Sequence, residues 1–432
     1  MAQSRIAVLP RFPVPGIRGG LLAAFLIALA VSISASQVLL ALLFAVAVPW
    51  SRLARAAVGP EGLRGAAREL ATAARGVRDH PLTPPFAAFA GLTLLSALVS
   101  GDPGWSLWLS RDLLRIAVFY LVLGSTRDAD HAFRVWQGFL VALTLMACYG
   151  LAQAWFCRVP PAILTEPWRS EICVHPSRVS GPFSIYMTFG GVLLLGALFL
   201  LAHLANVRWR DVAWMVPAGL VMVVALALTY SRNAWLGLIV GALVLVLTGQ
   251  RAGRTLLALA ILALVAAAVS PPAVWQRARS AVDLRDETAR DRVAMWRSGL
   301  GMIVDHPVFG VGPGQVRAWY AHYRRPEAVR PSTGHLHNSP IHIAAERGLP
   351  ALAAWVWLWV VFFRQAGRIL CRLDPDRARA RALVCASLSG IAGFLVAGLF
   401  EHNFGDAEVV MLVYALMTRP FVVARPATDG SG

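Results

Sequence analysis

"GLVMVVALALTYSRNAWLGLIVGALVLVLTG", residues 219–249, is two apolar runs separated only by Tyr230, Ser231 and Arg232. The runs at 213–229 and 233–249 approach the roughly 20 residues that cross a bilayer, so the chain turns at the membrane surface within a few residues. An arginine in so short a turn lies at that surface or points into a helix bundle. There an ionisable residue is functional by default, the plainer alternative being a side chain that snorkels to lipid headgroups.

The same pattern recurs along the chain. Apolar runs occupy about 20–34, 36–50, 82–100, 113–125, 135–156, 183–204, 213–229, 233–249, 255–270, 349–363, 382–400 and 408–424, which makes twelve candidate spans. With 432 residues, 57% hydrophobic and 15% charged, the chain reads as an all-α polytopic membrane protein. Several runs fall short of a full span, so flanking Trp, Pro and Arg complete them or the helices are locally short. Reading 20–50 as one helix instead would reverse everything downstream.

Arginine placement gives the orientation, because positive residues in short loops stay cytoplasmic. The formal net charge is +17, and every basic side chain is arginine. With the N-terminus inside, all inner loops are basic: Arg52 to Arg78, Arg127 and Arg134, Arg208 and Arg210, Arg251 and Arg254, and Arg364 to Arg381. Residues 61–79 space Leu63, Ala67, Leu70 and Ala74 between arginines, as an amphipathic helix lying on anionic cytoplasmic lipid does. No removable signal peptide is evident near Arg5 to Arg18. Three regions follow: 1–270 with nine spans, an outer segment 271–348, and 349–432 with three spans and a cytoplasmic C-terminus. Five cysteines are too few for a disulfide framework; Cys148 and Cys385 lie in apolar runs, and Cys157 with Cys173 is the one pair expected to be able to bridge.

The outer segment is too long for a simple connection. It carries eleven arginines against seven carboxylates, a surplus of four held against the positive-inside trend, which suggests an anionic ligand rather than an ordinary solvated face. Asp291 to Ile303 reads as a helix with Val293, Trp296, Leu300 and Ile303 on one stripe and Arg292 beside it. "FGVGPG", 309–314, is either a plain turn or a nest of backbone N–H groups for phosphate. In "HLHNSP", 335–340, Ser339 is expected as N-cap with Pro340 in the first helical position, and Gly348 as the stop before a span opening at Pro350. His337 and Asn338 then precede a helix N-terminus, a place that favours anions and suits a neutral histidine base. The alternatives are loop histidines without a role, or a metal site of His335, His337 and His342 with Glu346. "EHNFGDAE", 401–408, adds Glu401, His402 and Asp406 on the outer face, where they can partner the arginines.

Ser231-Arg232 between two spans, Arg292 with Trp296 four residues on, "HPVFGVGPG", and His337-Asn338 leading to "ERGLPAL" together resemble the O-antigen ligase and polymerase superfamily of bacterial inner membranes. The resemblance is strongest over about 180–365. It implies a GT-C-like glycosyltransferase of about twelve transmembrane helices with one larger periplasmic helical segment, working at the periplasmic face without metal or other cofactor. The implied donor is O-antigen on undecaprenyl diphosphate and the acceptor is the lipid A-core; membrane lipids are partners and nucleic acid is not. The family's essential residues map onto His337, Arg232 and Arg292, with Asn338, Arg290, Arg111 and Arg178 as further substrate-binding candidates. Asn233 and Ser339-Pro340-Ile341 depart from the family pattern, which bears on acceptor and glycan preference. An O-antigen polymerase or a protein O-oligosaccharyltransferase would share donor and histidine. A lipid or glycan transporter would need mid-span polar residues and repeat symmetry.

Overall fold

A computed structural model describes residues 15–47, 75–157, 173, 178–269, 275 and 287–425. Among them there are helices and no strands. In chain order we label α1 (Pro15–Leu29), α2 (Ile33–Ala47), α3 (Thr83–Leu98), α4 (Pro103–Leu109), α5 (Ala117–Ser125), α6 (Ala129–Phe156), α7 (Tyr186–Asn206) and α8 (Met215–Leu228). These are followed by α9 (Arg232–Thr248), α10 (Ala252–Val269), α11 (Glu287–Asp305), α12 (Val316–Tyr323), α13 (Ser339–Arg372), α14 (Ala378–Gly398), α15 (Ala407–Met417) and α16 (Arg419–Val423).

The described residues of the twelve apolar runs lie largely on helices. α6, α7, α13 and α14 are long and apolar enough to cross a bilayer, and the other apolar helices are shorter. Three runs are broken rather than continuous, the first of them, 20–34, between α1 and α2 at residues 30–32. Residues 110–116 form a 3-10 segment before α5, where Arg115 pairs with Asp112 at 2.7 Å. The last run divides at Thr418, before Arg419 and Pro420. Of the expected amphipathic helix, 61–74 lie outside the described residues, while 75–78 are helical.

α7 is the hub, with most of its length buried against α8, α9 and α14. Close approach of α9 and α14 follows from small residues. A Cβ at Gly237 would sit 2.6 Å from the Gly393 carbonyl oxygen, and one at Gly241 would sit 2.8 Å from that of Ser389. Without water inside a bilayer to drive apolar association, such small-xxx-small contacts hold helices by van der Waals packing. The opposite side of α9 is different: Ile239, Leu243 and Leu247 stay exposed, as suits a face toward lipid.

The segment before α13 has its own small core of Met295, Met302, Val311, Val316, Tyr320, Leu336 and Ala345. This corrects the stripe expected on α11. Ala294, Met295, Ser298 and Met302 are its buried face, whereas Leu300 is 51% exposed, because α11 packs on α12 and the start of α13. α13 is two helices joined at Gly348, whose φ of 81° and ψ of 169° are not helical, so the stop expected there is present. Cys157 and Cys173 are bonded as a disulfide.

Candidate functional site

His337 is delivered by its neighbours on either side. Leu336 is fully buried in the small core, and Asn338 caps α13 by accepting the Ile341 N–H at 2.9 Å while donating to the Leu399 carbonyl at 2.8 Å. The N-cap is therefore Asn338 and not Ser339, since the Asn338 oxygen reaches the N–H three residues on. Ser339 instead donates to the Glu401 carbonyl at 3.1 Å and lies 3.1 Å from Asn403 Oδ1. Held between these anchors, His337 adopts φ +49°, in the left-handed region. Among the described residues only Tyr230, two before Arg232, is another non-glycine with positive φ. Strain of this kind survives where the surroundings over-determine the backbone, and it concentrates at functional sites.

The imidazole has a different partner on each nitrogen. His337 Nδ1 lies 2.8 and 2.9 Å from the two carboxylate oxygens of Glu401, and Nε2 lies 3.4 Å from Arg330 Nη1. A carboxylate only accepts and a guanidinium only donates, so the network assigns the hydrogen to Nδ1 and leaves the Nε2 lone pair facing Arg330. Burial alone would raise the Glu401 carboxyl. The hydrogen bond and charge of His337, with His335 and Arg292 nearby, hold it below the usual range instead. Arg292 Nη2 is 3.5 Å from Glu401 Oε2, which joins two of the expected residues through one carboxylate.

Arg330 was only one of many arginines in the sequence. Its position comes from Asp291, whose buried Oδ1 accepts the N–H groups of Val329 and Arg330 at 2.9 and 3.2 Å, while Oδ2 lies 3.4 Å from Arg330 Nε. Arg232 opens α9 and is half-buried. The next two residues, Asn233 and Ala234, line a cavity of about 480 Å³ that is also lined by Glu401, His335 and Arg115. The remaining candidates are not gathered with His337 by any described contact. Arg290 is exposed on α11, Arg111 stacks 3.8 Å from the Trp108 ring centroid, and Arg178 lies 4.2 Å over Tyr186.

A second polar cluster stands beside the first. His342 Nε2 is 3.3 Å from Glu346 Oε1, and the His342 and His402 rings lie 3.9 Å apart. Burial drives His402 well below the ordinary histidine range, with the charges of His342 and His335 adding to the effect. The three-histidine metal set does not assemble, because α13 turns His342 toward Glu346. Instead His335, His337 and Glu401 bring ligand atoms within 4.8 Å of one another.

The glycine turn is structural. Val311 and Gly312 donate to the Ala345 and Glu346 carbonyls at 2.9 and 2.8 Å, and Gly314 donates to Glu346 Oε1 at 2.8 Å. Gly310, at φ +65°, approaches Glu346 so closely that a Cβ would lie 2.3 Å from its carbonyl carbon. These N–H groups are engaged within the protein, so the turn clasps the end of the first part of α13 and is not a phosphate nest.

Residues 217–356 match the family model described as O-antigen ligase. No curated protein matches the chain. The matched stretch contains Arg232, Arg292, Arg330 and His337; Glu401, beyond it, contacts His337 and Arg292.

Proposed function

We propose, from a chain whose residues 217–356 belong to the O-antigen ligase family of glycosyltransferases, that it transfers O-antigen from undecaprenyl diphosphate to the lipid A-core at the periplasmic face of the inner membrane. The observation that carries this reading is the Glu401–His337 pair at 2.8 Å, which leaves an imidazole lone pair beside two arginines. The basic inner loops and the Cys157–Cys173 disulfide, a bond suited to an oxidising compartment, support the orientation.

In the proposed reaction an acceptor sugar hydroxyl attacks the anomeric carbon of the donor. Its proton passes to His337 Nε2, the carbon–oxygen bond to the diphosphate breaks, and undecaprenyl diphosphate departs. Glu401 holds the ring in the correct tautomer and balances the imidazolium that forms. Arg292 and Arg232 receive the charge on the leaving diphosphate. Charge-assisted bonds of about 1.5–3 kcal/mol each stabilise a leaving group that is already good. Attack opposite the leaving group inverts the anomeric configuration.

The test is transfer by purified His337→Ala in the presence of lipid-linked donor and core acceptor. A well-expressed variant is expected to lose at least about 100-fold in turnover, and full activity would sink the assignment. Arg232→Lys and Arg292→Lys keep charge without the planar fork, so both should lower turnover; unchanged rates would argue against bidentate diphosphate binding. In the cell, deletion should leave core lipopolysaccharide uncapped with lipid-linked polymer accumulating, whereas core bearing a single repeat would indicate a polymerase.

A further inference from the structure

We propose that His335, His337 and Glu401 form a zinc-binding site whose occupation switches transfer off. The proposal rests on His337 acting as base at Nε2. Glu401 Oε1 lies 2.8 Å from His337 Nδ1 and 3.8 Å from His335 Nδ1. Tetrahedral zinc with bonds of about 2.0–2.1 Å separates its ligand atoms by about 3.3 Å, between these two values, so small side-chain shifts suffice. His335 Nδ1 is buried with no hydrogen-bond partner. A buried ring nitrogen in that condition needs an explanation, and a cation shared with the Glu401 carboxylate 3.8 Å away supplies one. The rest of the His335 side chain is 42% exposed, which gives an ion a way in.

The donor set selects the metal. Two imidazoles and a carboxylate suit zinc, cobalt, nickel or copper, whereas magnesium and calcium require oxygen ligands. Arg292 lies 3.5 Å from Glu401 Oε2, while Oε1, which also accepts the His402 N–H at 3.1 Å, faces both imidazoles. With Arg330 also 3.4 Å from His337 Nε2, two guanidinium charges oppose a dication. That opposition fits a reversible inhibitor rather than a resident cofactor.

The switch follows from the two nitrogens of one ring. Zinc takes the Nδ1 lone pair of His337, the Nδ1 proton leaves to solvent, and Nε2 takes one up, with no net change in ring charge. An Nε2 that already carries hydrogen accepts no proton from the acceptor hydroxyl. His337 is thereby held in the wrong tautomer while Glu401 is turned from orienting partner into ligand.

Zinc binding to the purified full-length protein is measured by competition with a chromophoric chelator, and transfer is assayed in parallel at buffered free zinc. About one zinc per chain is expected, with transfer falling at least about tenfold and recovering on chelation, while magnesium has no effect. His335→Gln and, as an independent variant, His335→Asn should each raise the zinc Kd and the half-inhibiting concentration by at least about tenfold. His342→Gln should move neither. Comparing variants also separates this site from zinc held by the donor diphosphate. Absence of binding at micromolar free zinc, or unchanged binding in both His335 variants, overturns the proposal and leaves the base assignment standing. Zinc bound through His335 with transfer unimpaired overturns the switch together with the Nε2-base reading.

Discussion

At the scale of residues, the site depends on one carboxylate with several duties. Glu401 accepts from His337, faces Arg292, and takes the His402 N–H at 3.1 Å on Oε1. Glu401→Gln removes the charge and turns one oxygen into a donor, which conflicts with the Nδ1 hydrogen of His337. Turnover is therefore expected to drop about 100-fold or more with KM little changed, and steady-state kinetics on both substrates checks the split. Arg232, Arg292 and His337 were singled out in the chain because each sits in a local motif. Glu401 was visible as a carboxylate in "EHNFGDAE", but its bond to His337 spans 64 positions and has no local signature. Arg330 was hidden for the same reason, since Asp291, which aims it, lies in α11, 39 positions away.

At the scale of elements, the two-part helix α13 links the membrane to the site. Its first part carries Asn338, His342 and Glu346, and its second part continues into the apolar bundle. Gly348 is the joint: at φ +81° a Cβ would meet the Val308 carbonyl oxygen at 2.0 Å. Gly348→Ala is expected to cost about 2 kcal/mol or more, read as a lower melting temperature in detergent, because both the backbone conformation and the contact disfavour a side chain. The cap is a milder case. Asn338→Ala should lose about 1 kcal/mol of stability, and the larger effect should be on turnover through the position of His337. A variant that kept full turnover would show that the cap does not set the histidine's position. Sequence pattern placed the stop at Gly348 correctly, yet assigned the cap one residue late, because Asn and Ser are both good caps and only the 2.9 Å bond to the Ile341 N–H decides between them.

At the scale of the whole molecule, small residues bring α9 and α14 together and so bring the Arg232 turn near the 401–408 loop. Gly237→Leu should overpack this contact by about 1–3 kcal/mol, lowering the folded yield and the melting temperature. A pH response belongs at this scale too. Asp406 accepts from Thr188 at 2.6 Å across helices, and burial, with the charge of Glu408 adding to it, pushes its carboxyl up to about 7. A carboxyl raised on folding binds protons that the unfolded chain has released. Its stabilising contribution is full below the ordinary aspartate range near 4 and is lost as pH rises toward about 7. The melting temperature should therefore fall by a few degrees between pH 5 and 8, and Asp406→Asn should flatten that slope; an unchanged slope would assign it to other groups.

The apolar periodicity by itself determined the helical membrane architecture, since the bilayer imposes length and polarity on each segment separately. It also determined which short motifs carry charge between spans. Only the tertiary structure decided which charges meet. Glu401 with His337, Asp291 with Arg330 and His342 with Glu346 are choices among many carboxylates and bases of similar local pattern, and they are made by how the helices pack. The glycine turn shows the same division: a turn was expected from composition, but whether its N–H groups face a ligand or the protein depends on Glu346 lying against it.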